Sequence, residues 1–117
     1  MTEHLEKIKN RYMHDEYDIR LGGLAANLAR VSSFSDNDHH QKAVEGLLEE
    51  SKYFIEWCAG EAHPDESSQL VELQVKLARW QYKWSEIWPN KKKRNIVAKE
   101  ANVWSQRILQ MSGLLNA

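Results

Sequence analysis

The chain has 117 residues, 42% hydrophobic and 28% charged, with a formal net charge of −1, a balance expected of one soluble globular domain spanning residues 1–117. Five glycines and two prolines are too few for the frequent turns of a β-sandwich, and no apolar run approaches the ~20 residues of a membrane span. A single cysteine excludes an internal disulfide, and the charged opening MTEHLEKIKNRYMHDE argues against a signal peptide, so the cytoplasm is the expected location.

Four helices are predicted in chain order. The first runs from about Glu3 to Val31 and ends in the SSFSDND loop. Ser35 or Asp36 caps the second, which runs to about Ala59, with Gly60 as its stop. Pro64, followed by Asp65 and Glu66 at the positive helix end, opens the third, which closes at Trp88 before Pro89. Asn90 or Asn95 caps the fourth, which runs to about Leu115. Long helices on short loops fold back on one another, so the expected architecture is all-α, an up-down-up-down four-helix bundle.

The third helix carries the clearest core signal. Leu70, Leu73, Leu77, Trp80, Trp84 and Ile87 repeat at intervals of 3 and 4 residues. The second helix places Ala43, Val44, Leu47, Leu48, Ser51, Phe54, Ile55 and Cys58 in one arc, and the fourth offers Val97, Ala101, Trp104, Ile108, Met111 and Leu115. Two helices have apolar residues left over. The third has a second line, Val71, Val75, Ala78 and Tyr82, nearly opposite its Leu/Trp seam. The first has Met13, Tyr17, Leu21, Leu24, Leu28 and Val31 on one side and Leu5, Ile8, Tyr12 and Ile19 on the other. The Gly22–Gly23 pair between these halves lowers helix propensity by about 1 kcal/mol per glycine and permits close helix contact. Unpaired stripes of this kind predict a protein interface, and a homodimer is the commonest solution.

The near-zero net charge conceals an uneven layout. Residues 36–66 carry nine acids and two lysines, whereas residues 67–117 carry nine bases and three acids. We read the split first as intramolecular pairing, with a bipolar surface that orients a partner as the alternative. The run Lys91, Lys92, Lys93, Arg94 falls at the start of the fourth helix. It would serve as a phosphate or nucleic-acid contact if the helix began at Asn90, or as a solvated loop if Asn95 were the cap. Four residues are a small footprint for nucleic acid, so nucleic acid is not the expected partner.

No sequence feature implies catalysis, a cofactor or a metal. His39 and His40 are adjacent and point about 100° apart on a helix, so they cannot share an ion. Asp36 with His40, and His14 with Asp18, have the right spacing for two ligands, but no Glu-x-x-His of the di-iron bundles occurs. Cys58 lies on the apolar arc near a helix C-terminus, the setting of an inert thiol. Trp80, Trp84 and Trp104 belong to core stripes, while Tyr53, Trp57 and Trp88 fall at stripe edges and are the expected exposed aromatics.

Read together, NLARVSSF, ESKYFIEW, LARWQYKWSEIW and WSQRILQMSGLL resemble segments of a group of small helical-bundle proteins of cyanobacteria, over most of the chain from about Leu21. The resemblance implies a soluble intracellular protein of a photosynthetic bacterium, and it supplies no catalytic or binding residue. The expectation is therefore a non-catalytic bundle acting through protein–protein contact, with itself and with an unknown partner. Its contact residues would be Leu5, Ile8, Tyr12, Ile19, Val71, Val75, Ala78, Tyr82 and Trp88.

Overall fold

In the computed structural model, which describes residues 2–116, the chain is helical throughout and forms no strand among those residues. Six α-helices follow one another: α1 (Glu3–His14), α2 (Tyr17–Phe34), α3 (Gln41–Cys58), α4 (Pro64–Tyr82), α5 (Trp84–Ile87) and α6 (Lys91–Ser112). Short 3-10 turns occupy Asp38–His40, Ala59–Glu61 and Leu114–Asn116. None of the described helices is long and apolar enough to cross a membrane.

The expected first helix is two. Asp15 and Glu16 adopt extended backbone (ψ 152° and 158°), and the chain re-enters helix at Tyr17. A continuous helix would have buried only one of its two opposed stripes. The break turns α1 so that Tyr12 joins the same core as Leu21, Leu24, Leu28 and Val31, with Leu5 and Ile8 half-buried against it. Met13 and Ile19, one from each expected stripe, stay exposed.

Other boundaries follow local chemistry. Thr2 caps α1 by accepting from the Leu5 amide at 3.2 Å. Ser35 does not cap the next helix, because its hydroxyl donates back to the Val31 carbonyl at 2.6 Å. Asn37 caps instead, accepting from the His39 amide at 2.8 Å ahead of the 3-10 turn. Pro64 holds the first turn of α4 as expected. That helix stops at Lys83, short of Trp88, and α5 adds one offset turn. Gly113, in the left-handed region at φ 76°, ends α6 before Leu115.

The four longest helices contact one another in a ring, α2 with α3, α3 with α4, α4 with α6 and α6 with α2. Side-chain bonds cross each of these contacts. Asn27 reaches Glu50, Gln81 reaches Glu49, Lys76 pairs with Glu100, Arg107 reaches Gln69, and Ser105 donates to the Ala25 carbonyl at 2.7 Å. Tyr17, in the first turn of α2, bonds Glu66 in the first turn of α4 at 2.9 Å. Inside lie Leu21, Leu24, Leu28, Leu48, Leu70, Leu73, Leu77 and Ile108, all without appreciable solvent contact. Of the expected core residues, Ala43 and Leu115 are exposed, and Leu47 and Met111 are half-buried at its edge.

Tyr12 is the anchor of α1. Its ring stacks on Phe54 with centroids 3.8 Å apart, and its hydroxyl donates to the Arg20 carbonyl. Truncation to Tyr12→Ala is expected to destabilise the protein by about 3–5 kcal/mol, whereas Tyr12→Phe, which loses only the hydroxyl, costs about 0.5–1.5 kcal/mol. Urea unfolding followed by circular dichroism measures both.

Candidate functional site

The outward side of α4 keeps a line of apolar residues uncovered. Val71 is 56% exposed, Val75 46% and Tyr82 87%, with Ala78 between them. The neighbouring helix α6 extends the same face with Ile96 at 51% and Val103 at 57%. Two such side chains a full two turns apart make no periodic signal, so sequence alone did not join α6 to this surface.

Between the two helices runs an open groove of about 880 Å³. Buried Trp80, Ile87 and Val97 form its floor, and Val75, Tyr82 and Ile96 its walls. Four cationic side chains stand at its edge, Lys76, Arg79, Lys83 and Lys93, against one carboxylate, Glu100. Lys76 and Glu100 pair across the helices at 3.4 Å. Arg79, Lys83 and Lys93 are exposed and enter none of the ion pairs among the described residues.

The other residues singled out in sequence are placed elsewhere. Leu5, Ile8 and Tyr12 are used in the contact of α1 with the core, and Ile19 stands exposed on α2. Trp57 and Trp88, expected at the surface, are 8% and 5% exposed. Trp57 is enclosed by Tyr12, Tyr53 and Phe54, and Tyr53 is half-buried beside it. Trp88 packs beside Trp84 with centroids 5.4 Å apart, under the Arg94 guanidinium at 4.9 Å. A helix end and a stripe edge are exposed only if no neighbouring element covers them. Here α1 covers Trp57 and the start of α6 covers Trp88.

The basic run divides in the same way. Asn90 caps α6, accepting from the Lys93 amide at 3.1 Å, so all four residues are helical and the alternative cap at Asn95 is not used. Lys91, Lys92 and Lys93 are exposed, but Arg94 is buried. Its guanidinium donates to the Trp88 carbonyl at 2.7 Å and meets the Asp38 carboxylate at 2.7 Å. The run therefore presents three lysines, and its arginine is a tie between the α2–α3 connection and the end of α5.

A second buried arginine was not singled out in sequence. Arg20, 3% exposed, donates to the Asp15 carbonyl at 3.1 Å and the Trp57 carbonyl at 3.2 Å, and pairs with Glu61. The available signal was a cation inside an apolar stripe, next to Leu21 and between Tyr17 and Leu24. Beside it, Cys58 is fully buried, with Sγ 3.3 Å from the Tyr12 hydroxyl. Since that hydroxyl donates to the Arg20 carbonyl, the thiol is left to donate to Tyr12. Burial pushes the Cys58 thiol up, although the charge of Arg20 pulls the other way. Burial, followed by the proximity of Cys58, also pushes the Tyr12 phenol up, and burial with the Glu66 bond does so for Tyr17.

His4, His14, His39 and His63 are exposed, and the His40 ring lies 3.2 Å from the Phe34 carbonyl. Among the described residues no three His, Cys, Asp or Glu side chains gather into a metal site. No protein-family model matches the chain, and no curated protein or solved structure shows significant similarity to it.

Two outcomes test these placements. Arg94→Ala is expected to cost about 1.5–3 kcal/mol, because it breaks charged hydrogen bonds at a buried position, while Ala at Lys91, Lys92 or Lys93 changes stability by less than about 0.5 kcal/mol in the same denaturant titration. The raised acids set the alkaline behaviour. The unfolded chain releases the Cys58 proton near pH ~8.5 and the tyrosine protons near ~10, while the fold retains them, so stability is complete below about pH 8 and falls as pH rises. Unfolding titrations at stepped alkaline pH should show this fall, and Cys58→Ala should remove its first part.

Proposed function

We propose that this chain is a non-catalytic protein that works by binding protein, with the face shared by α4 and α6 as its contact surface. Its four long helices serve as the frame, an up-down-up-down bundle in the cytoplasm. The observation that carries this reading is the uncovered apolar line Val71, Val75 and Tyr82 beside Ile96 and Val103 on two adjacent helices. Contiguous exposed apolar surface rimmed by polar residues marks interaction sites in soluble proteins. A tyrosine with an exposed ring on such a surface is a typical anchor, because it buries a large area at little cost in rotamer freedom. Two kinds of occupant compete for the face, a second copy of this chain and a different protein.

Site-specific photo-cross-linking separates them. A benzophenone amino acid at position 82 should yield covalent adducts in cells that make the protein, whereas the same group at exposed Asn10 on α1 should not. An adduct of twice the chain's mass identifies a second copy, and any other mass a different protein. Equal labelling at both positions, or none at 82, would reject the α4–α6 face as the contact surface.

A further inference from the structure

We infer that the α4–α6 groove receives an amphipathic helix from another protein, one that carries acidic residues beside its apolar stripe. This rests on the reading of that face as a protein contact surface and names its occupant.

The shape of the groove selects a helix. Tyr82 is 87% exposed, and Val75 and Ile96 are about half exposed, so the groove is an open trough. Small-molecule pockets bury roughly 70–90% of their ligand, and a trough this open cannot enclose one so far. Its walls run from Val75 to Lys83 on α4 and from Lys93 to Glu100 on α6. Eight residue steps along a helix span about 12 Å, two turns, which accommodates anchors at i, i+3 or i+4, and i+7 of a helix laid between the walls.

Charge selects the sign. With Lys76 answered by Glu100, the rim keeps Arg79, Lys83 and Lys93, three exposed cations outside any ion pair among the described residues. Lys93 also lies in the first turn of α6, where the helix dipole is positive, so an incoming carboxylate relieves an unfavourable contact as well as forming a favourable one. An apolar floor with a cationic rim complements an apolar stripe with acidic flanks.

The same charges disfavour a second copy. A two-fold contact presents the same patch from both sides, which would bring this cation-rich rim against a rim of the same sign. The chain's own acidic stretch, residues 36–66, contains none of the large exposed apolar side chains, so it offers the groove no anchor.

The test uses the full-length protein and two fluorescein-labelled synthetic helical peptides with one identical leucine stripe, flanked by glutamates in the first and by lysines in the second. Fluorescence anisotropy should show the glutamate peptide binding at least about tenfold tighter, with the advantage shrinking as salt is added. The combined substitution Arg79→Glu, Lys83→Glu and Lys93→Glu should reverse the preference, and Val75→Asp with Tyr82→Asp should abolish binding of both peptides. All five positions are exposed, and circular dichroism checks that each variant is folded. The salt dependence of the unaltered protein decides the matter even if the triple variant does not fold.

Equal binding of the two peptides would overturn the acidic partner and leave the contact surface standing. A concentration-dependent dimer in sedimentation, abolished by Tyr82→Asp, would overturn it in favour of a second copy. Failure of the glutamate peptide to bind would overturn it outright, and cross-linking from position 82 would then decide independently whether the face is a contact surface.

Discussion

Arg20 carries a full positive charge with almost no access to water, and the amino-terminal half of the fold is arranged to answer it. A buried cation is tolerable only when its donors are filled and its charge is met. The Asp15 carbonyl is free to accept because the chain is extended at Asp15 and Glu16, where no helical hydrogen bond competes for it. The Trp57 carbonyl lies in the last turn of α3, where carbonyls lack intrahelical partners and the dipole is negative. Glu61, in the turn that follows, supplies the counter-charge. One side chain thus ties together the α1–α2 break, the end of α3 and the approach to α4. Arg94 repeats the device in part, with the Trp88 carbonyl at the end of α5 and Asp38 in the α2–α3 connection, while its buried Nε has no partner among the described residues. The helix ends, where orphan carbonyls collect, are what these two arginines hold.

These ties also bear on the uneven charge along the sequence. Asp38 of the acidic stretch is met by Arg94 of the basic one, and Glu61 by Arg20 from the start of the chain. Intramolecular pairing therefore accounts for part of the split. The lysines at the start of α6, with Arg79 and Lys83 at the outer edge of α4, have no such partners among the ion pairs of the described residues, and they keep the basic stretch of the chain electrostatically open. The two accounts of the charge pattern divide the molecule between them.

How much of this was legible follows from what each residue signals by itself. The Leu/Trp seam of α4 and the arcs of α3 and α6 could be read because burial on one side of a helix writes a 3.6-residue period into the chain. The break at Asp15–Glu16 could not, since it contains neither proline nor glycine and is held by Arg20 reaching back to Asp15 and across to Trp57, a tertiary contact. Two opposed stripes on one predicted helix are the signature such a break leaves, and they are equally the signature of an interface. For α1 the leftover stripe turned out to lie against the chain's own core. For α4 it did not, because no further element of the described chain lies over that side. Trp57 and Trp88 are buried for the complementary reason, since Tyr12 of the distant α1 covers the first and the turn after Pro89 folds Arg94 over the second, and neither leaves a helical period.

The groove has a cause in residue size. Where α2 meets α6, the facing residues are small. Ala25, Ala98, Ala101 and Ser105 are buried there, and the Ser105 hydroxyl reaches the α2 backbone directly. Helix separation is set by the side chains at the contact, so these two helices approach closely. The contact of α4 with α6 includes bulkier side chains instead, with Trp80 beside Val97 at the floor of the groove, and the Arg107 guanidinium lies 3.8 Å from the centroid of Trp104 while bonding Gln69 at 3.2 Å. Rings of that size hold the backbones apart. They fill the space beneath the helices and leave the outer side of the seam open between Val75 and Ile96. Among the tryptophans Trp80 floors the groove directly, whereas Trp84 and Trp88 pack on each other away from it, and all three are core residues.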